Sequence, residues 1–181
     1  MVRLFVGIDF PEEIKEKLSE LCCGVPGAKW VEKPQMHLTL RFIGETDGGT
    51  FKEILDSLAD VDIPPFLVTL KGIGYFPPHK EPNVLWAGIE KNEMLLRLKN
   101  KIDRVLVQLG LEPESRKFTP HVTLARLKDT PIPRLIRYMG EHSLFKIPQI
   151  PVNDFVLFSS VLSPKGAIHL MEAAYSLVDS E

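Results

Sequence analysis

Two short strings in this chain carry the residue types of acid–base chemistry. His37-Leu38-Thr39-Leu40 and His121-Val122-Thr123-Leu124 share one pattern: histidine, aliphatic, threonine, aliphatic. In a β-strand, successive side chains point to opposite faces. Each string therefore presents an imidazole and a hydroxyl on one face and two aliphatics on the other. Two such pairs brought together supply two proton-transfer groups and two neutral hydrogen-bond donors. That set suits phosphoryl chemistry without a metal. One string alone would read as a structural histidine in a strand. Two of only five histidines in the same pattern argue otherwise. The remaining three, His79, His142 and His169, lack that context and read as loop or surface residues.

The elements that must position these strings follow from periodicity. Val2, Leu4, Val6 and Ile8 alternate along a first strand. Pro11 then opens a helix with Glu12 and Glu13 in its first turn, where carboxylates complement the dipole. Ile14, Leu18 and Leu21 recur at helical spacing, and Gly24 ends that segment. Met36 to Ile43 alternates as the first motif strand. Phe51, Ile54, Leu55 and Leu58 form the stripe of a second helix. Phe66 to Gly72 and Asn83 to Ile89 read as strands around a Pro- and Gly-rich loop. Asn92 caps a third helix reaching to Gly110, with its stripe at Leu95, Leu98, Ile102, Val105 and Leu109. Phe118 to Leu127 holds the second motif. A short helix near Pro133 to Met139 and strands at Val152 to Ser160 and Ile168 to Leu177 complete the chain. Strands outnumber helices, without regular β–α–β winding. The expectation is one α+β domain over residues 1–181, built as two lobes that exchange strands.

Composition narrows the function classes. The 181 residues are 44 % hydrophobic and 25 % charged, as in globular proteins. No run of about 18 apolar residues exists, so no membrane partner is expected. The N-terminal stretch MVRLFVGIDFPEE reaches acidic residues too early for a secretory segment. Adjacent Cys22 and Cys23 offer neither a disulfide framework nor metal-ligand spacing. A reducing, cytoplasmic setting and a monomer are expected. The net charge of −2 provides no global field for nucleic acid, but it permits a local basic site reading one phosphate-bearing end.

Opening a strained 2′,3′-cyclic phosphate at an RNA end requires water to be deprotonated on one side of phosphorus. The leaving ribose oxygen must be protonated on the other. Two imidazoles with ordinary pKa near 6.5 can divide these tasks at neutral pH. Thr39 and Thr123 can donate hydrogen bonds to the non-bridging oxygens. With these residues in place, the chain resembles the 2H phosphoesterase superfamily, defined by two HxTx motifs. More closely, it is similar to the RNA 2′,3′-cyclic phosphodiesterases, also called 2′-5′ RNA ligases. The resemblance runs through RLFVGID, KWVEKPQMHLTLRFIGE, KGIGYFP, VLWAGIE, FTPHVTLARLK and LSPKGAIH. It implies a bilobal α+β fold with two antiparallel sheets flanked by helices around a central cleft. It implies no metal and no cofactor. It implies RNA ends with a 2′,3′-cyclic phosphate as substrate and a 2′-phosphomonoester as product; among physiological substrates, tRNA fragments, other RNA ends and a small cyclic nucleotide all stay open. It also implies that His37 protonates the leaving 3′-oxygen and that His121 activates water. The residues themselves leave that assignment open.

The candidate substrate contacts are Arg126, Arg41 and Phe42. Alternation puts Arg41 on the His37 face. It puts Arg126 opposite His121 unless a bulge intervenes. Phe42 can stack a terminal base, as can Trp30, although Phe42 alternates with Leu38 and Leu40. Trp86 reads as core, and Lys165 as an exposed turn residue with phosphate contact as the alternative. Relatives of the resembling family more often carry Tyr at the position of His169 and Glu at that of Leu170. Other readings use the same residues: ligation by the reverse reaction, a non-catalytic RNA-end binder, or a two-histidine metal site. No carboxylate or cysteine within either motif completes a ligand set.

Overall fold

The computed structural model describes residues 1–179, over which nine strands and four helices follow one another. The strands are β1 (Val2–Asp9), β2 (Ala28–Trp30), β3 (His37–Thr46), β4 (Phe66–Phe76), β5 (Val84–Ile89), β6 (His121–Leu127), β7 (Lys146–Val152), β8 (Asp154–Ser163) and β9 (Gly166–Ser176). The helices are α1 (Glu12–Ser19), α2 (Gly48–Leu58), α3 (Glu93–Gln108) and α4 (Ile132–Glu141). All strand pairs are antiparallel. Their order is β7-β4-β5-β6-β3-β1-β8-β9, with β2 added on β6.

The two expected sheets are the halves of this one curled sheet. One half is β6, β5, β4 and β7; the other is β3, β1, β8 and β9. A single paired position, Leu38 with Val122, joins them among the described residues. That position is the second residue of each motif. Strand exchange is visible in the chain order: β2 leaves the N-terminal half to pair with β6, and β8 and β9 return to pair beside β1.

Helices cover one face because their apolar stripes need burial. In α3, Leu95, Leu98, Ile102 and Leu106 are all buried, three or four residues apart. Each such side chain contributes about 1.5–3 kcal/mol by leaving water. The Asn92 side chain accepts from Leu95 N–H at 3.0 Å, capping the helix as its sequence predicts. Residues of all four helices share one core with Leu38, Leu40, Val122 and Leu124. The aliphatic positions of the motifs thus face the helices and turn their histidines to the opposite side.

Two strands were not expected from periodicity, β2 and β7. β2 has only three residues. β7 contains Pro148 and Pro151, which ordinarily argue against a strand. It lies at the sheet edge, where a missing N–H leaves no ladder bond unmade.

Candidate active site

Both motif strands bulge at the same place. In β3, Thr39 faces Gly7 and Arg41 faces Val6, so Leu40 is an extra residue. In β6, Thr123 faces Trp86 and Ala125 faces Leu85, so Leu124 is extra. The fourth motif residue is the bulge in each case. A bulge advances the side-chain alternation by one. Leu40 and Arg41 are therefore buried consecutively, and so are Leu124 and Ala125. Phe42 and Arg126 turn back to the face of the histidines, and both are exposed.

This settles three expectations. Arg126 returns to the His121 face through a bulge, the condition under which alternation allowed it there. Phe42 does not join Leu38 and Leu40 in the core: it is 66 % exposed, with its ring 5.9 Å from Phe5. Arg41 is not on the His37 face. It is 6 % exposed on the helix side, with its guanidinium 3.3 Å from Asp103, near Glu114 and bonded to the Glu112 carbonyl. Lys99 bridges the same Asp103 and Glu114. Arg41 thus ties the first motif strand to α3 and to the segment leading into the second motif.

The single joining pair also sets the motifs side by side. Continued by one residue each way from Leu38 and Val122, the antiparallel register sets His37 opposite Thr123 and Thr39 opposite His121. The two imidazoles are held alike. His37 Nδ1 lies 2.8 Å from the Gln35 carbonyl, and His121 Nδ1 lies 2.7 Å from the Thr119 carbonyl. A carbonyl only accepts, so Nδ1 carries the proton and Nε2 is left as the basic nitrogen. The Thr39 hydroxyl donates to His37 Nε2 at 3.0 Å.

The walls of the two imidazoles differ. His37 lies against Phe5 at 4.9 Å, Phe158 at 5.6 Å and His169 at 4.9 Å between ring centroids. Phe5, Phe158 and Val156 form a second, small apolar cluster on this face. Gly7 makes room for it: a Cβ there would meet the Leu38 carbonyl oxygen at 2.6 Å and crowd the Phe158 ring. Asp9, opposite His37 in register, is paired with the buried Lys15 at 2.7 Å. Burial pushes His37 down to about 4. The Gln35 hydrogen bond and Asp9 oppose that shift, and His169 and Lys15 add to it. His121 instead lies against Phe76 at 5.0 Å and Trp86 at 6.2 Å. Trp86, expected in the core, is half-buried on this face, where its ring covers Gly74. Trp30 lies apart from the site and packs toward Tyr138 and the core.

His169 was expected at the surface. It stands in β9 against His37, and its backbone N–H donates to Gln35 Oε1 at 2.6 Å. The string LSPKGAIH was the one signal for it; alternation within a strand does not tell which strand lies beside it. Lys165 is exposed in the β8–β9 turn, as its sequence context predicts. Among the described residues, no group of three or more His, Cys, Asp or Glu side chains is arranged to hold a metal ion. No described helix is long and apolar enough to cross a membrane.

The sequence model of the family described as "LigT like phosphoesterase" matches residues 8–86 and 88–169, one motif in each segment. The chain belongs to the LigT-like phosphoesterase family. Among its relatives, the RNA 2′,3′-cyclic phosphodiesterase of Archaeoglobus fulgidus is 33 % identical over 171 residues, covering 93 % of this chain and 96 % of that one. The RNA 2′,3′-cyclic phosphodiesterase of Thermotoga maritima is 36 % identical over 174 residues, covering 93 % and 91 %. The crystal structure of TT0787 from Thermus thermophilus superposes with a TM-score of 0.80 at 31 % identity, covering 97 % of both chains. The LigT-like phosphoesterase fold therefore accounts for the whole curled sheet, both motif strands included.

Proposed function

We propose that this LigT-like phosphoesterase hydrolyses RNA 2′,3′-cyclic phosphate ends to 2′-phosphomonoesters, by acid–base catalysis between His37 and His121 without a metal. One observation carries the reading: two motifs whose imidazoles are held in the same tautomer, that of His37 with the Thr39 hydroxyl bonded to it, share one face of the sheet. Relatives that match nearly the whole chain are RNA 2′,3′-cyclic phosphodiesterases.

In this mechanism His121 Nε2 takes a proton from water as its oxygen attacks phosphorus. The bond from phosphorus to the 3′-oxygen breaks on the opposite side, and His37 gives that oxygen a proton. The 2′-phosphate remains. Once His37 is protonated, its Nε2 no longer accepts from Thr39, and Thr39 and Thr123 donate to the non-bridging oxygens as charge gathers there. Arg126 pairs with the phosphate, and Phe42 stacks the terminal base. His37 is neutral at pH 7 in the free protein, because burial disfavours its charged form. The phosphate's negative charge beside it favours protonation, so substrate binding itself loads the acid. The reverse reaction with a 5′-hydroxyl would ligate through the same groups, but water at about 55 M favours hydrolysis by mass action. The substrates are RNA ends, tRNA fragments among them, met by a cytoplasmic monomer.

The test is incubation with an RNA oligonucleotide ending in a 2′,3′-cyclic phosphate, with product followed by phosphorus NMR. The expected product is the 2′-phosphate, formed equally well with excess EDTA, and the rate should pass through a maximum with pH. The two limbs belong to the coupled pair. A phosphodiester with a p-nitrophenolate leaving group needs no acid. With it, His37→Ala should lose little rate and His121→Ala should keep its full defect. EDTA inactivation reversed by a divalent cation would refute the two-histidine mechanism.

A further inference from the structure

We propose that His169 is a positioning residue for His37: its ring walls the imidazole edge-on, and its backbone N–H holds Gln35, whose carbonyl fixes the His37 tautomer. The proposal rests on the reading of His37 as a proton-transfer group.

Three contacts support it. The His169 and His37 rings meet at 81° with centroids 4.9 Å apart. His169 also stands at 81° and 4.9 Å to Phe5, which itself packs on His37. The third contact runs through the backbone. His169 N–H donates to Gln35 Oε1 at 2.6 Å, and the Gln35 carbonyl lies 2.8 Å from His37 Nδ1. A strand from the far end of the chain thereby grips the residue that orients the first motif histidine. An imidazole free to flip would offer the wrong nitrogen half of the time.

The His169 ring is suited to this place because it stays uncharged. Its Nδ1 is buried with no hydrogen-bond partner among the described residues. An imidazolium is a donor at both nitrogens, and a buried N–H with no acceptor is costly. His169 therefore keeps one proton, on Nε2. Burial acts in the same direction on its acidity. A cation this close would oppose the protonation of His37 by its charge, whereas a neutral ring opposes it only by keeping water away. The other charged groups facing His37 are Asp9 on β1 and Lys15 on α1, and these neutralise each other as an ion pair. The remaining walls, Phe5 and Phe158, carry no charge.

The test compares His169→Ala, His169→Phe and Gln35→Ala with the wild type. Imidazole ¹⁵N NMR reads the His37 tautomer and titration, and steady-state kinetics on a cyclic-phosphate RNA oligonucleotide reads kcat and KM separately. In His169→Ala, kcat should fall about tenfold with little change in KM, since small misplacements of reacting groups are costly. His37 should titrate closer to the ordinary imidazole range and lose its single Nδ1–H tautomer. His169→Phe keeps a neutral ring wall and the backbone N–H, so it should restore both the titration and most of kcat. Gln35→Ala should loosen the tautomer with the wall intact. Should His169→Ala not fold, His169→Gln removes the ring while filling more of its space, and the same shifts are expected. Unchanged His37 titration and kcat in the ring-deleted variant would overturn the proposal. So would a raised KM at constant kcat, which would mark a substrate contact. If the wild-type protein turned over no cyclic phosphate, the proposed function would fail, yet the NMR comparison would still decide what His169 does to His37.

Discussion

The strands β3 and β6 are built to one plan and then furnished differently. Each carries HxTx, a bulge at the fourth motif position, and an imidazole whose Nδ1 is tied to the carbonyl two residues earlier. Beyond the bulge they diverge. The fifth position is Arg41 in one strand and Ala125 in the other; the sixth is Phe42 against Arg126. His37 is enclosed by three rings, one of them a histidine. His121 has Phe76 and Trp86, with the exposed cation Arg126 on its strand. The lesson is that a repeated backbone frame supplies paired histidines and threonines, while the walls around them differ from half to half.

The largest expected effect tests what the halves have in common. His37→Ala and His121→Ala should each lower turnover by about 10²–10⁴-fold with the fold intact by circular dichroism. The double variant should be little worse than either single, because the two act as one unit. Full additivity in the cycle would show that the halves work independently.

The fifth motif position should separate the halves by stability rather than by chemistry. Arg41→Met leaves Asp103 and Glu114 without their shared guanidinium, and urea unfolding should show a loss of about 3 kcal/mol. Ala125→Ser breaks no such network and should cost about 1 kcal/mol or less. Equal costs would mean that the buried ion pairs contribute nothing to β3.

The pH dependence of stability distinguishes the halves next. His37 is held at about 4 in the folded chain, against an ordinary 6.5 when unfolded. Between those values the unfolded chain binds a proton that the folded chain does not. Stability therefore falls as pH drops from about 6.5 toward 4, by up to about 3 kcal/mol from this group. Above 6.5 the group is neutral in both states and adds no slope. His37→Gln should flatten that part of the curve, and an unaltered slope would show that the burial of His37 is not its cause.

The smallest effects belong to the sixth position. Arg126→Ala should lower kcat/KM by about 10–100-fold, as expected for a lost charge-assisted phosphate contact. Phe42→Ala should cost about fivefold, the lower end for one stacked base, and only with substrates that carry the base. Exchanged effects would reverse the assignment of phosphate and base to the two halves.

The sequence by itself determined the motif pairs, the presence of the four helices, the Asn92 cap and the α+β class; of the α3 stripe it placed Leu95, Leu98 and Ile102, but named the half-buried Val105 and Leu109 in place of the buried Leu106. These are properties of short segments: a period of 3.6 or 2 and the chemistry of a side chain are present before any strand finds its partner. It also marked Arg126 as a residue in need of a bulge. Only the tertiary structure decided which way Arg41, Phe42 and Arg126 point. A bulge is two residues set against one on a neighbouring strand, so it exists only in the pair: Gly7 and Val6 define it for β3, Trp86 and Leu85 for β6. The same holds for β7, whose prolines are tolerated because of its place at the edge. His169 is the clearest case. It lies 132 residues from His37 in sequence and meets it only because β8 and β9 return to pair beside β1. Contacts made by strand order are not written in the periodicity of any one strand.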